Sequence, residues 1–124
     1  MIKRAGVMVR VVLALASVGS WVQADPLEEI DDSDDATDHR GENGRQFVYQ
    51  CSDDVGESEV WGSGPYSDDS SICSAAVHAG RISAARGGRV RIEILGGRSS
   101  YRGSSRHGVE SLDYGSWPGS FTFR

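Results

Sequence analysis

The chain is poor in cysteine, proline and lysine, and it lacks a long hydrophobic run. Among its 124 residues there are only two cysteines and three prolines, and Lys3 is its single lysine. Its length allows at most one small domain, because domains usually run to about 100–150 residues. Its most apolar stretch, residues 11–22, is short of the roughly 20 residues that a helix needs to cross the hydrocarbon core. The short length excludes most multi-domain enzymes, and the short apolar stretch argues against a membrane anchor.

The first 24 residues have the pattern of a signal peptide. Lys3, Arg4 and Arg10 make a charged N-terminal region, residues 11–18 are apolar, and small residues end the segment at Ala24. This order of charged, apolar and small-residue parts is typical of secretory targeting. We therefore expect cleavage near Ala24 and a secreted or periplasmic product with no transmembrane segment.

Acidic residues dominate the chain after residue 24. All 18 Asp and Glu lie there, against ten Arg, which gives a net charge of −8. A nucleic-acid-binding protein is expected to carry the opposite sign, so nucleic acid is not an expected partner. Residues 25–44 alone hold nine acidic residues, one base (Arg40) and no aromatic residue. Because such a composition buries too little apolar surface to offset the entropy of ordering, we predict a disordered acidic spacer.

Residues 45–124 are predicted to form the folded domain. Alternating apolar residues predict strands at 47–51, 90–94 and 121–123, with a short extended piece at 59–61. A helix over about 69–79 has almost no polar face, which is typical of a central, buried helix. Asp68, Asp69 or Ser70 is expected to cap its start, and Gly80 to end it in a left-handed conformation. Strands on both sides of a single helix indicate an α+β fold with sheets packed about that helix.

The two cysteines, Cys51 and Cys73, allow only one intramolecular pair. Disulfides persist in the compartments that exported proteins reach. Closing a loop of about 22 residues stabilises a fold by roughly 3 kcal/mol on the chain-entropy model. For a domain of this size we expect that bridge to be a large share of the total stability.

The residues that catalysis or metal binding would need do not occur in a matching pattern. No Gly-x-Ser-x-Gly elbow is present, and the glycines fit no nucleotide fingerprint. The acidic run at 31–35 fails the spacing of a calcium loop, because Ala36 stands where a ligand is needed. His78 is expected to cap or pack the helix end with a partly positive ring, His107 to lie in a surface loop, and His39 in the spacer. We expect no enzyme activity, cofactor or metal.

Charge is segregated along the predicted domain. Residues 51–69 carry six acids and no base, whereas residues 81–106 carry seven Arg and only Glu93 as an acid. The planar guanidinium suits bidentate contacts to phosphate or carboxylate. The candidate ligand-binding residues are Arg89, Arg91, Arg98, Tyr101, Arg102 and Arg106. The alternative is that these arginines pair with acids of the same chain and that Tyr101 belongs to the core.

The sequence resembles the LCCL domain over nearly all of residues 46–123. The run from Tyr66 to Gly80, YSDDSSICSAAVHAG, closely follows the central motif of that family. Further matches are Gly87 with Gly88, Tyr101 with Gly103 and Ser104, the run 107–111, and Trp117 with Ser120 and Phe121. The structural helix motif consists of Asp69, Ser70, Ser71, Ile72, Ala75, Ala76, His78 and Gly80.

The resemblance implies a central helix wrapped by two irregular antiparallel β-sheets, and an extracellular, non-catalytic binding module. Its implied ligands are lipopolysaccharide or other glycans. Well-known members have four cysteines in two bridges, so Cys51 and Cys73 would be the one bridge retained. We expect a module that binds an anionic glycan or lipid head group at the cell envelope. The alternative is a protein-interaction or structural envelope module with no small ligand, and a small hydrolase is a distant third.

Overall fold

The computed structural model describes residues 27–124. The predicted signal peptide and its cleavage site lie outside the described residues. Within residues 27–124 no helix combines the length and the apolar character needed to cross a membrane.

A five-stranded sheet forms the framework of the domain. Its three longer strands are β2 (Gln46–Cys51), β4 (Gly88–Arg98) and β7 (Trp117–Phe123), which pair antiparallel with β4 in the middle. Two short strands complete the edges: β3 (Tyr66–Ser67) pairs antiparallel with β7, and β1 (Glu28–Ile30) pairs parallel with β2. The predicted strands are thus confirmed except at 59–61, where only an isolated bridge from Trp61 to Leu112 forms.

A second, two-stranded sheet lies later in the chain, formed by β5 (Ser105–Arg106) and β6 (Val109–Glu110). The one α-helix among residues 27–124, α1 (Ile72–His78), has all seven of its residues buried. One helix, two sheets and one disulfide confirm the predicted α+β class. The larger sheet is mixed rather than wholly antiparallel, because β1 runs parallel to β2.

Period-2 alternation produces the core. In β4 the residues Val90, Ile92 and Ile94 are buried, whereas Arg89 and Arg91 between them are exposed. The buried residues pair with apolar residues of β2 and β7, so one face of the sheet is continuous and apolar. The small side chains of α1, Ala75 and Ala76 among them, belong to the same core cluster. A helix without a polar face is therefore stable here because it is surrounded on every side.

The helix is shorter at its start than the predicted span of 69–79. Ser71 is the N-cap, since its side chain accepts a hydrogen bond from the Ser74 amide at 3.1 Å. Asp69 and Ser70 lie before the helix, where their side chains bond to Ser67 and to the Trp61 backbone. Asp and Ser offer the backbone such local alternatives to helical hydrogen bonds, which explains the late start.

The predicted helix end at Gly80 is confirmed. Gly80 has φ +76°, and its amide donates to the Val77 carbonyl while the Arg81 amide donates to the Ala76 carbonyl. This pair of bonds is the Schellman motif, which occupies carbonyls left unpaired at a helix end.

The predicted disulfide is confirmed. Cys51 at the end of β2 is bonded to Cys73 in α1, with 5.8 Å between their Cα atoms and a separation of 22 residues. The bridge fastens the central helix directly to the sheet that it packs against.

The prediction of a disordered spacer over residues 25–44 is wrong for residues 27–44, which are an ordered part of the domain. The segment forms β1 and a short 3₁₀ turn at Thr37–His39. Ile30 and Ala36 are buried against the core. The composition argument failed because the segment is held mainly by main-chain hydrogen bonds while its carboxylates stay solvated. The Ala36 amide donates to the Asp68 carbonyl, and the Asp34 carbonyl accepts from the Ile72 amide.

A buried carboxylate fastens this segment to the rest of the domain. Asp68 is 1% exposed and receives two hydrogen bonds from the Arg40 guanidinium, each at 2.8 Å. The Trp117 indole donates a third at 2.7 Å, and the Arg40 guanidinium lies over the Trp117 ring. Gly119 makes room for the carboxylate, because a Cβ at that position would lie 2.0 Å from an Asp68 oxygen.

Replacement of Arg40 tests the role of this segment. The R40A variant leaves Asp68 buried with one side-chain donor, so we expect the free energy of unfolding to fall by about 3 kcal/mol. The control is R45A, which removes an exposed partner of Glu42 and should change stability little. Urea denaturation of both variants makes the comparison, and equal small losses would contradict the assignment.

Candidate functional site

The six predicted ligand-binding residues lie in different surroundings. Arg89 and Arg91 lie on the exposed face of β4, and Arg91 donates to the Gln46 side chain at 3.4 Å. Arg98 ends β4 opposite Trp117. Arg102 and Arg106 both contact Ser63, the first through its main-chain oxygen and the second through its guanidinium.

Tyr101 is one of the six candidate ligand-binding residues, and the structure corrects that assignment. Its side chain is 5% exposed, and its hydroxyl lies 3.2 Å from the main-chain oxygens of both Trp117 and Gly119, to which it donates. Burial raises the pKa of this hydroxyl. Tyr101 is therefore a core residue that holds the start of β7, as the alternative interpretation of the sequence had it.

The arginines themselves do not follow that alternative. The carboxylate ion pairs among residues 27–124 involve Arg40, Arg45, Arg124 and His39. None of the seven Arg between residues 81 and 106 lies within 4.0 Å of an Asp or Glu side chain in this part of the chain. The Arg81 guanidinium does donate to the main-chain oxygen of Arg124 at 3.2 Å. The acidic half of the domain thus supplies no Asp or Glu partner to these seven charges.

Three of these arginines converge on an open groove of about 690 Å³ beside the C-terminal end of α1. Arg81 and Arg86 come from the loop after the helix, and Arg89 from the start of β4. Val77 and Ile82 supply apolar wall, His107 closes one side, and no Asp or Glu lines the groove. This groove, lined by Arg81, Arg86, Arg89 and His107, is named the arginine groove below. Guanidinium groups without carboxylates suit a ligand that carries phosphate, sulfate or carboxylate.

A tight turn brings the groove-lining loop back to the sheet. Gly87 has φ +66°, and a Cβ there would lie 2.3 Å from the Cys51 carbonyl oxygen. Only glycine fits this close approach, which leads the chain into β4 directly after Arg86.

A second groove, of about 420 Å³, has the opposite charge. It is lined by Glu57, Glu59 and Glu110, with Val60 and the exposed Leu112 as its apolar part. The turn of the β5–β6 hairpin contributes His107 to the arginine groove, whereas β6 contributes Glu110 to this one. The surface of the domain is thus divided by sign of charge around one hairpin.

The residues of the predicted helix motif serve the fold. Ser71 caps α1, whereas Ser70 and Asp69 hold the approach to it. Ile72, Ala75 and Ala76 are core residues, and Gly80 ends the helix.

His78 is fully buried and belongs to a polar network. Its Nε2 lies 3.0 Å from the Ser104 carbonyl oxygen, which only accepts, so Nε2 carries the hydrogen. Its Nδ1 then accepts from the Tyr66 hydroxyl at 2.9 Å. A neutral ring with its hydrogen on Nε2 thus has both nitrogens bonded. Burial lowers the pKa of His78 and outweighs the hydrogen bond to the Ser104 carbonyl, which raises it, while Arg106 and His107 lower it further. The expectation of a partly positive ring at the helix end is therefore wrong.

His107 is the functional candidate that sequence reasoning assigned to an ordinary surface loop. Its Nδ1 lies 2.9 Å from the His78 carbonyl oxygen, so its side chain, not that of His78, caps the helix end. The only local signal was the pair His107 and Gly108, which is compatible with a two-residue hairpin turn.

Metal binding finds no support in residues 27–124, where no group of three His, Cys, Asp or Glu side chains is placed to hold an ion.

A family model of the LCCL domain matches residues 28–121. The chain belongs to the LCCL domain family. Cochlin of Homo sapiens is 44% identical over 66 residues, covering 53% of this chain and 12% of cochlin. Vitrin of Homo sapiens is 35% identical over 78 residues, covering 61% of this chain and 11% of vitrin.

Clotting factor C of Tachypleus tridentatus is 31% identical over 113 residues, covering 85% of this chain and 11% of that protein. The chain thus spans about a tenth of the length of these relatives. The family match begins at residue 28, which is the first residue of β1 and lies within the acidic segment. LCCL domains are binding modules rather than a catalytic family.

The buried neutral histidine of this LCCL domain predicts a pH dependence of stability. Unfolded His78 ionises near pH 6.5, whereas folded His78 has a lowered pKa. Below about pH 6.5 the unfolded chain therefore binds a proton that the folded chain does not. The contribution to stability is fully present above that pH and is lost as the pH falls, at up to about 1.4 kcal/mol per pH unit.

Urea denaturation at pH 5.5, 6.5 and 7.5 measures this dependence. The control is the H39N variant, which removes a histidine packed on Phe47 and should keep the same slope. Stability that is constant or rises as the pH falls over this range would contradict the neutral assignment of His78.

Proposed function

We propose that the protein is an exported, non-catalytic binding module for an anionic glycan or lipid head group, and that the arginine groove is its binding site. The single observation that carries the proposal is that Arg81, Arg86 and Arg89 line one groove and have no Asp or Glu side-chain partner among residues 27–124. Membership of the LCCL family supports the binding role.

The chemistry of the groove supports an anionic ligand with an apolar or sugar portion. Guanidinium groups form charge-assisted hydrogen bonds to oxyanions, and these are stronger than bonds between neutral groups. Val77 and Ile82 add apolar contact beside them. A phosphorylated or sulfated sugar, or a phospholipid head group, combines these two properties.

Export is supported by two features of the chain. The first 24 residues have the pattern of a signal peptide. The Cys51–Cys73 disulfide belongs to an oxidising compartment such as the periplasm or the extracellular space.

Matched charge variants test the binding site. The triple variant R81A/R86A/R89A should bind dextran sulfate and lipopolysaccharide about a hundredfold more weakly than the unaltered protein, because three charge-assisted contacts are lost. The control variant R91A/R98A/R102A removes the same charge outside the groove lining and should keep most of the affinity. Unsulfated dextran should not bind.

Titration by calorimetry at 50 and 150 mM salt measures these affinities. Binding through the groove should weaken with salt, because ions screen exposed charges. Equal losses in the two triple variants would contradict the assigned site, and no binding to either anionic ligand would contradict the proposed function.

The second candidate function is docking of a protein partner, favoured by the second groove. There Leu112 is 43% exposed between glutamates, an arrangement suited to a basic and apolar segment of another protein. A partner held there would be released by replacing Leu112 and retained by the R81A/R86A/R89A variant.

A further inference from the structure

His107 occupies a backbone conformation that few side chains adopt. It forms, with Gly108, the two-residue turn between β5 and β6, and their φ values are +53° and +80°. Such a turn, with both central residues at positive φ, usually holds Asn, Asp or Gly. Histidine, like Asn and Asp, is enriched among residues with positive φ, so the hairpin accommodates His107 at the first position of its turn.

The contacts of the ring fix its orientation. The His78 carbonyl oxygen accepts from Nδ1 at 2.9 Å, so Nδ1 carries a hydrogen whatever the charge of the ring. The ring packs on Gly80, where a Cβ would come within 2.8 Å of Cε1. Nε2 has no hydrogen-bond partner among residues 27–124, and the side chain lines the arginine groove. Nε2 is thus the ring nitrogen left free to contact a ligand in the groove.

The charged groups around the ring come from every element that packs near it. Arg81 and Arg86 lie in the loop after α1, Arg89 in β4, and Arg106 beside His107 in β5. Arg81 also donates to the main-chain oxygen of Arg124 at 3.2 Å. His78, whose carbonyl binds Nδ1, has a neutral ring. On the other side of the hairpin, Glu110 lines the second groove. An anion seated among the three arginines would therefore meet either a lone pair or an N–H at Nε2, according to the protonation of His107.

We propose that the arginine groove takes a sulfate or phosphate ester and that protonated His107 donates a fourth contact to it through Nε2, so that binding strengthens as the pH falls. This inference rests on the function proposed above. Histidine is the side chain that ordinarily changes charge between pH 5 and 8. The site would then hold its ligand most tightly in mildly acidic surroundings.

The affinity of the mature protein for dextran sulfate, measured between pH 5.5 and 8.0 at constant ionic strength, tests the inference. The charge of a sulfate ester is constant over this range, so any change reports the protein. We expect binding about tenfold tighter at pH 5.5 than at pH 8.0, the size of one charge-assisted hydrogen bond.

The H107N variant separates His107 from other titrating groups. Asparagine followed by glycine is the preferred pair for this turn, so the hairpin should fold, which circular dichroism at each pH checks. The variant should bind with an affinity that is nearly independent of pH. The control H39N should keep the full tenfold change.

The outcomes distinguish the inference from the function on which it rests. Binding that is independent of pH in the unaltered protein, or a tenfold change that persists in H107N, would overturn the role of His107 and leave the groove as the site. No binding at any pH would overturn both. Dextran phosphate distinguishes a phosphate ester from a sulfate ester. Because a phosphate monoester gains its second negative charge near pH 6, the affinity of the protein for dextran phosphate should be greatest near that pH rather than at the acidic end of the range.

Discussion

The buried carboxylate of Asp68 is the constraint on which the arrangement of the domain depends. A carboxylate that is removed from water must be paired and hydrogen-bonded, and Asp68 draws its partners from two separate parts of the chain, the acidic segment and β7. Arg40 brings in the acidic segment, Trp117 comes from the start of β7, and Gly119 leaves the space that the carboxylate occupies. The Asp68 backbone meanwhile binds Ala36 and Gly119. One side chain thus joins the acidic segment to the last strand of the sheet.

The division of the surface by charge follows from this framework. The single arginine of the acidic segment, Arg40, pairs with the buried Asp68, and the segment's own carboxylates stay in water. It lies along β2 at one edge of the sheet, with its backbone over the start of α1. The arginine groove lies at the C-terminal end of α1. The helix, fastened to β2 by the disulfide, therefore separates the acidic segment from the groove.

Much of the fold was predictable because its signals are local in sequence. The alternation at 90–94, the apolar helix before Gly80 and the two cysteines each specified one element, and the structure confirms all of them. The order of residues 27–44 was not predictable from composition. It depends on main-chain hydrogen bonds to β2 and on a pair, Arg40 with Asp68, that spans 28 residues. Neither leaves a periodic pattern.

The candidate site was predictable only in part. An excess of arginine over 81–106 was visible in the sequence, and Arg89 belonged to the predicted set. The grouping of Arg89 with Arg81 and Arg86 depends on the tight turn at Gly87, whose closeness to the Cys51 carbonyl is a tertiary property. Tyr101 was expected at the ligand because it stands between arginines, whereas its register opposite Tyr114 directs it into the core.

Nuclear magnetic resonance of the arginine side chains most directly tests the claim that an anion binds in the arginine groove. The Nε–H signals are recorded while a short dextran sulfate oligosaccharide is added to the mature protein. If the anion binds in the arginine groove, the signals of Arg81, Arg86 and Arg89 shift together and saturate at one ligand concentration. Shifts confined to Arg98, Arg102 and Arg106, or small shifts that grow without saturation for every exposed arginine, would contradict it.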